Sequence, residues 1–258
     1  MSKKVGGYKM TKSPYYFAPK PLLNPRARIF CFPYAGGTSS IYFDWPDYFF
    51  SRQIEVVAVS LPGRGARFGE PFDASIEAAI TNMVDEFVPY LDRPFYLYGH
   101  SNGALYSYEF ARQLLNRGQL LNCRRVFLGA KAAPRITYRR DPLHLLNETD
   151  FRQALAELGG TPQALLADEQ LLALLSPMLR SDFKLGFDYM STEPQQRMQQ
   201  LPATLIYGTQ DVDVGAQAMS AWRELLPQAE LESVAGGHFF IHHQQASLVD
   251  LLLTRIPM

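Results

Sequence analysis

Phe95-Tyr96-Leu97-Tyr98-Gly99-His100-Ser101-Asn102-Gly103-Ala104-Leu105-Tyr106 decides how the chain is read. Its first four residues are a continuous aromatic and aliphatic run, the composition of a strand buried on both faces, and from Ala104 onward apolar residues recur at helical spacing. Between them, Gly99 to Gly103 fits the pattern G-x-S-x-G. Small residues on either side of a serine permit a turn so sharp that Oγ projects into the open and the next helix starts beneath it. A Gly-rich connection with Ser101 as helix N-cap is the plain structural reading of the same residues. What separates the two readings is whether an acid and a base follow in the chain.

Outward from this segment, short apolar runs alternate with helical ones. Ile29 to Phe32, Val56 to Val59, Val126 to Leu128, Thr204 to Tyr207 and Leu231 to Val234 read as further strands, and Ile76 to Leu91, Ala104 to Leu115, Ala216 to Leu226 and Gln245 to Arg255 as helices. That alternation predicts an α/β domain with a mostly parallel central sheet flanked by helices. One stretch breaks it. Residues 134–197 are Leu-rich and helix-forming, punctuated at Gly159-Gly160-Thr161-Pro162 and Ser176-Pro177, and read as an inserted helical cap, or lid. Residues 1–25 lack apolar periodicity and read as a flexible N-terminal arm, leaving residues 26–258 as one domain with its insertion.

Composition narrows the function classes. The chain has 258 residues, 47% hydrophobic and 19% charged, a balance that excludes a disordered or low-complexity protein. Lys+Arg and Asp+Glu number 25 each, so the long-range positive field of a general nucleic-acid binder is missing and no nucleic-acid partner is expected. No apolar run approaches the roughly 18 residues of a membrane span, which argues against a membrane partner and for a cytoplasmic protein. Cys31 and Cys123 lie in or beside apolar segments without CxxC spacing, so both read as core residues and no metal site is expected.

A serine hydroxyl is a poor nucleophile until a base takes its proton, and the base needs a carboxylate to hold its tautomer. Both follow in order. Asp211 comes just after the strand ending at Tyr207-Gly208, with Asp213 as the alternative acid. Of the five histidines, only His238 directly follows the last strand, in Gly236-Gly237-His238-Phe239-Phe240. His100 is expected to pack or hydrogen-bond around the turn, and His242 and His243 read as surface or capping residues. The order Ser101, Asp211, His238 is that of the α/β-hydrolase fold. A tetrahedral intermediate also needs two donors, an oxyanion hole: the Asn102 amide and one from Phe32-Pro33-Tyr34-Ala35-Gly36-Gly37, with Ala35 preferred and Tyr34 the alternative.

Four blocks, Phe32 to Gly37, Leu61-Pro62-Gly63-Arg64-Gly65, Gly99 to Leu105 and Gly236 to Phe240, together resemble the type II thioesterases of nonribosomal peptide and polyketide synthesis. The resemblance spans nearly all of residues 28–257. It implies hydrolysis of acyl or aminoacyl thioesters from the phosphopantetheine arm of carrier proteins, through an acyl-enzyme and without metal or organic cofactor. One departure is Asn102, where relatives commonly carry Met; backbone donation should survive it, while the added amide bears on acyl preference. The cap would then form an acyl chamber, with Phe183, Phe187, Tyr189 and Met190 as candidate lining, or these four are ordinary helix packing. Arg64 and Arg67 either meet the carrier or brace their own loop. Two other functions fit the triad or the fold: a carboxylester hydrolase or lipase-like enzyme, and a non-catalytic binding protein.

Overall fold

The computed structural model describes residues 13–134, 142–191 and 196–257. Its strands are β1 (Tyr16–Phe17), β2 (Ala27–Phe32), β3 (Ile54–Val59), β4 (Phe95–His100), β5 (Cys123–Gly129), β6 (Ala203–Gly208) and β7 (Ala229–Val234). Its helices are α1 (Trp45–Phe49), α2 (Ile76–Phe87), α3 (Asn102–Asn116), α4 (Glu148–Leu158), α5 (Gln163–Ala167), α6 (Glu169–Ser191), α7 (Ala216–Ser220), α8 (Phe240–His243) and α9 (Gln245–Thr254). The strands form one sheet in the order β1-β3-β2-β4-β5-β6-β7, parallel except for β1.

Alternation along each central strand feeds two separate cores, as a period of two requires. Phe30, Phe32, Phe95, Leu97, Val126 and Leu128 face the layer of α2 and α3. Ile29, Cys31, Tyr96, Tyr98 and Phe127 face the layer of α1 and α9. Both cysteines are buried and unpaired, in keeping with core packing.

Strand order also fixes where a site can form. From β2 the chain steps outward to β3 and then returns across β2 to β4, so the loops leaving β2 and β4 diverge and open a crevice at their C-terminal ends. Phe32 pairs with Gly99 in the register. The Tyr34–Gly37 loop and Ser101 therefore leave the sheet side by side.

The insertion between β5 and β6 carries α4, α5 and α6, and no strand among its described residues; residues 135–141 and 192–195 lie outside the described ones. Phe151, Leu155, Leu166, Leu172, Met178 and Leu179 form a small core of its own. Helix α6 spans both bodies: beyond Pro177 its Leu185, Tyr189 and Met190 join the core of the sheet.

The arm needs correcting. Residues 1–12 lie outside the described residues, but from Ser13 onward the segment is held. β1 pairs antiparallel with β3, Tyr16 is buried against Phe87 and Tyr90, and the Ser60 amide donates to the Tyr15 carbonyl at 2.8 Å. A two-residue strand has too little length to show an alternation; its one buried side chain is Tyr16, and Tyr15 adds the Ser60 hydrogen bond and the ring under Arg67. Among the described residues no helix is long and apolar enough to cross a membrane.

Candidate active site

Ser101 sits at φ +52°, ψ −124°, a conformation a non-glycine residue adopts only when its surroundings impose it. They do so by close backbone approach. A Cβ on Gly103 would lie 2.1 Å from the Phe32 carbonyl oxygen, so α3 can start tight against the end of β2 only with glycine there. The Ser101 amide donates to the Gly129 carbonyl at 2.8 Å, continuing the β4–β5 ladder through the turn. These constraints leave the hydroxyl free to project into the crevice.

Two loops converge on it. A Cβ on Gly208 would stand 2.5 Å from the carbonyl oxygens of Gly236 and Gly237, so the loop after β7 folds directly onto the end of β6. That fold brings His238 Nδ1 to 2.8 Å from Asp211 Oδ2 and His238 Nε2 to 3.1 Å from Ser101 Oγ. A carboxylate only accepts, so the Nδ1 proton points at Asp211 and the Nε2 lone pair is left for the serine hydroxyl.

Asp211 Oδ1 is held by the amides of Asp213 and Val214, each at 3.0 Å. Burial pushes the Asp211 carboxyl up, but the His238 hydrogen bond and charge together with these two amides outweigh it. Its pKa falls below the ordinary carboxylate value. Asp213, the alternative acid, contributes its backbone amide to the turn that fixes Asp211.

His100 is fully buried, with its ring against Phe240, and its Nε2 lies 2.7 Å from the His238 carbonyl oxygen. Burial and the neighbouring His238 pull its pKa down to about 3. It is therefore a neutral ring bonded to the His238 backbone. His242 is exposed, as a surface residue should be, yet it is also bonded: the Tyr34 hydroxyl lies 2.7 Å from its Nε2. Tyr34, Phe239 and His242 thus make an aromatic wall beside His238.

The amides of Ala35 and Asn102 donate to no protein acceptor among the described residues, whereas the Gly36 amide donates to Asp182 Oδ2 at 2.7 Å and the Gly37 amide to the Tyr34 carbonyl. The Asn102 side chain is buried beneath α6: Nδ2 donates to the Asp182 carbonyl at 2.8 Å, and Oδ1 accepts from Lys131 Nζ at 2.8 Å. The side-chain amide is thus bonded to protein at both its nitrogen and its oxygen.

The two arginines brace. Arg64 and Arg67 are both buried, so neither is available to a carrier surface. Arg64 makes a bidentate pair with Asp182 at 2.5 and 2.6 Å. Arg67 bonds Glu70 and the Ser60 carbonyl and lies over the Tyr15 ring, 4.6 Å from its centroid. The proposed lining divides as well. Tyr189 and Met190 are buried in the sheet core, with the Tyr189 hydroxyl donating to Glu109, while the half-buried Phe183 and Phe187 pack on Phe151 and His144. Asp182 was missed in the sequence. Its signal was a lone carboxylate at helical spacing among Met178, Leu179, Leu185 and Gly186, on a face that is otherwise apolar.

Comparison with known proteins gives the family. The family model described as Thioesterase domain matches residues 27–256. The chain is 32% identical over 236 residues to Gramicidin S biosynthesis protein GrsT of Aneurinibacillus migulanus, covering 90% of each. It is 34% identical over 249 residues to a protein of Brevibacillus parabrevis named Linear gramicidin dehydrogenase LgrE, covering 94% of this chain and 92% of that one. Among solved structures, YbtT, described as the type II thioesterase from the yersiniabactin NRPS/PKS pathway, superposes with a TM-score of 0.82. Its sequence identity is 26%, with 94% of this chain and 98% of that one covered.

Proposed function

The chain belongs to the thioesterase family and has the α/β-hydrolase fold, and on that premise we propose that it is a type II, editing thioesterase. Its substrates in this reading are acyl or aminoacyl thioesters on the phosphopantetheine arm of carrier proteins of nonribosomal peptide or polyketide synthases, and its partners are those carrier domains in the cytoplasm. The observation that carries the reading is the hydrogen-bonded chain from Ser101 through His238 to Asp211, in a family defined by thioester cleavage.

Ser101 Oγ attacks the thioester carbonyl while His238 Nε2 takes its proton, and Asp211 stabilises the resulting imidazolium. The amides of Ala35 and Asn102 hold the oxyanion of the tetrahedral intermediate. Collapse breaks the C–S bond, and the same Nε2 proton goes to the departing sulfur. Water, deprotonated by His238, then attacks the acyl-serine, and the serine leaves reprotonated. A hydride transfer has no use for this triad, so the dehydrogenase name of one relative is not carried over.

Turnover of a panel of acyl-loaded carrier proteins beside matched oxygen esters tests the reading. Faster cleavage of carrier thioesters by the wild type, abolished in a folded Ser101→Ala variant, is the expected result. Preference for oxygen esters would make the protein a carboxylester hydrolase, and no turnover of either with no labelling by a fluorophosphonate would make it a binding protein.

A further inference from the structure

A carboxylate buried in an apolar helix face is costly unless every oxygen is satisfied. Asp182 of α6 is 3% exposed and satisfies all of its own. Oδ1 accepts from Arg64 Nη2 at 2.6 Å; Oδ2 accepts from Arg64 Nη1 at 2.5 Å and from the Gly36 amide at 2.7 Å. Its backbone carbonyl accepts from Asn102 Nδ2 at 2.8 Å. One residue of the insertion therefore grips both chain segments that carry the oxyanion donors assigned above.

The grip is directional. Bonding the Gly36 N–H fixes the plane of the Ala35–Gly36 peptide and withdraws that amide from competition for the oxyanion, leaving Ala35 as the donor. Holding the Asn102 side chain anchors the first turn of α3, from which the second amide projects. We propose that Asp182 is a positioning residue for the oxyanion hole: its carboxylate, through the Gly36 amide, holds the Ala35 amide in reactive geometry, beside the anchor on Asn102 that the backbone carbonyl at 182 supplies whatever the side chain. The proposal rests on the triad reading, since an oxyanion hole has a purpose only in acyl transfer. Misplacing a catalytic group by about 1 Å costs up to about 100-fold in rate, so losing this clamp should fall mainly on kcat.

Asp182→Asn alone would strand a buried guanidinium, so the test removes both charges. Arg64→Met/Asp182→Leu replaces the ion pair with apolar groups of similar size, and Arg64→Met/Asp182→Asn restores only an acceptor for the Gly36 amide. The leucine variant should fold, because a buried ion pair exchanged for packed apolar groups is often neutral, and the asparagine variant leaves no buried charge unpaired. Rates are read on a carrier-bound acyl thioester and on a p-nitrophenyl ester of the same acid. The leucine variant is expected to lose about 10- to 100-fold in kcat with KM within about threefold, and the asparagine variant to recover most of that loss. The pH midpoint of kcat should be unchanged in both, because the Asp211–His238 pair is untouched.

Wild-type kcat in the leucine variant, a moved midpoint, or no recovery with asparagine would overturn the proposal. So would rapid hydrogen exchange at the Gly36 amide of the wild type, a measurement that needs no variant to fold. A wild type active on the oxygen ester but not on the thioester would instead overturn the thioesterase reading, and the ratio between variants would still be readable on the ester.

Discussion

His100 Nε2 lies 2.7 Å from the carbonyl oxygen of His238, so the residue before Ser101 holds the backbone of the residue whose ring faces Ser101. A carbonyl only accepts, which puts the proton on Nε2 and leaves Nδ1 to face the Tyr98 hydroxyl at 3.3 Å. His100→Gln keeps a donor near the same place and should retain kcat within about threefold. His100→Leu leaves a carbonyl unpaired and the His238 loop less constrained, and should lower kcat by about tenfold or more with little change in KM. Steady-state kinetics on one thioester decides it; equal losses in both variants would assign His100 to packing alone.

The same ring makes the fold sensitive to acid. Burial holds its folded pKa at about 3, against 6.5 for an ordinary histidine. Between those values the unfolded chain binds a proton that the folded chain refuses, so stability falls with decreasing pH by about 1.4 kcal/mol per unit. Asp211, with a lowered folded pKa, contributes its full stabilisation above the ordinary carboxylate pKa and loses it only as pH falls below that value, so it adds no pH dependence between pH 7 and pH 5. Urea unfolding at pH 7 and pH 5 should show the wild type losing about 2 kcal/mol more than His100→Gln. Parallel losses would place the acid sensitivity elsewhere.

Asp211 and Asp213 are two residues apart, yet only Asp211 presents a carboxylate to His238. Asp211→Asn should lower kcat by about 10³- to 10⁴-fold through loss of the charge and the tautomer it fixes. Asp213→Asn keeps the backbone amide that Asp211 uses and should stay within about threefold. The ordering of the two kcat values is the measurement, and a larger fall at Asp213 would exchange their roles.

Carrier-bound thioesters should still be cleaved with higher kcat/KM than the same acyl group on coenzyme A, because remote binding energy realised in the transition state raises that ratio. The two loop arginines are not its source. Arg67 is spent on Glu70, the Ser60 carbonyl and the Tyr15 ring. Arg67→Gln should therefore lower the melting temperature and loosen the β1 segment, while the carrier-to-coenzyme ratio stays within about twofold. A collapsed ratio at unchanged stability would return Arg67 to the docking surface.

Much of this was legible in one sequence because the informative signals are local. Continuous apolar runs marked β2 to β6, β7 was read from the shorter Leu231 to Val234 segment, and the spacing of Ser101, Asp211 and His238 after strand ends marked where three side chains could meet. What stayed hidden depends on partners far away in the chain. Arg64 reads as a free cation until Asp182, 118 residues later, is seen against it. Tyr189 and Met190 read as chamber wall because helical spacing does not say which of two bodies a face packs on; α6 changes bodies partway along, between Phe183 and Leu185. β1 was lost for want of length.

The backbone at Ser101 has an evolutionary consequence. At φ +52°, ψ −124° a side chain is strained by about 1–3 kcal/mol, and glycine would relieve it. A library of variants screened only for survival on heating is therefore drawn towards glycine at position 101, and its hardiest members are expected to have lost the proposed nucleophile. On the proposed triad, a serine in that seat exchanges stability for turnover.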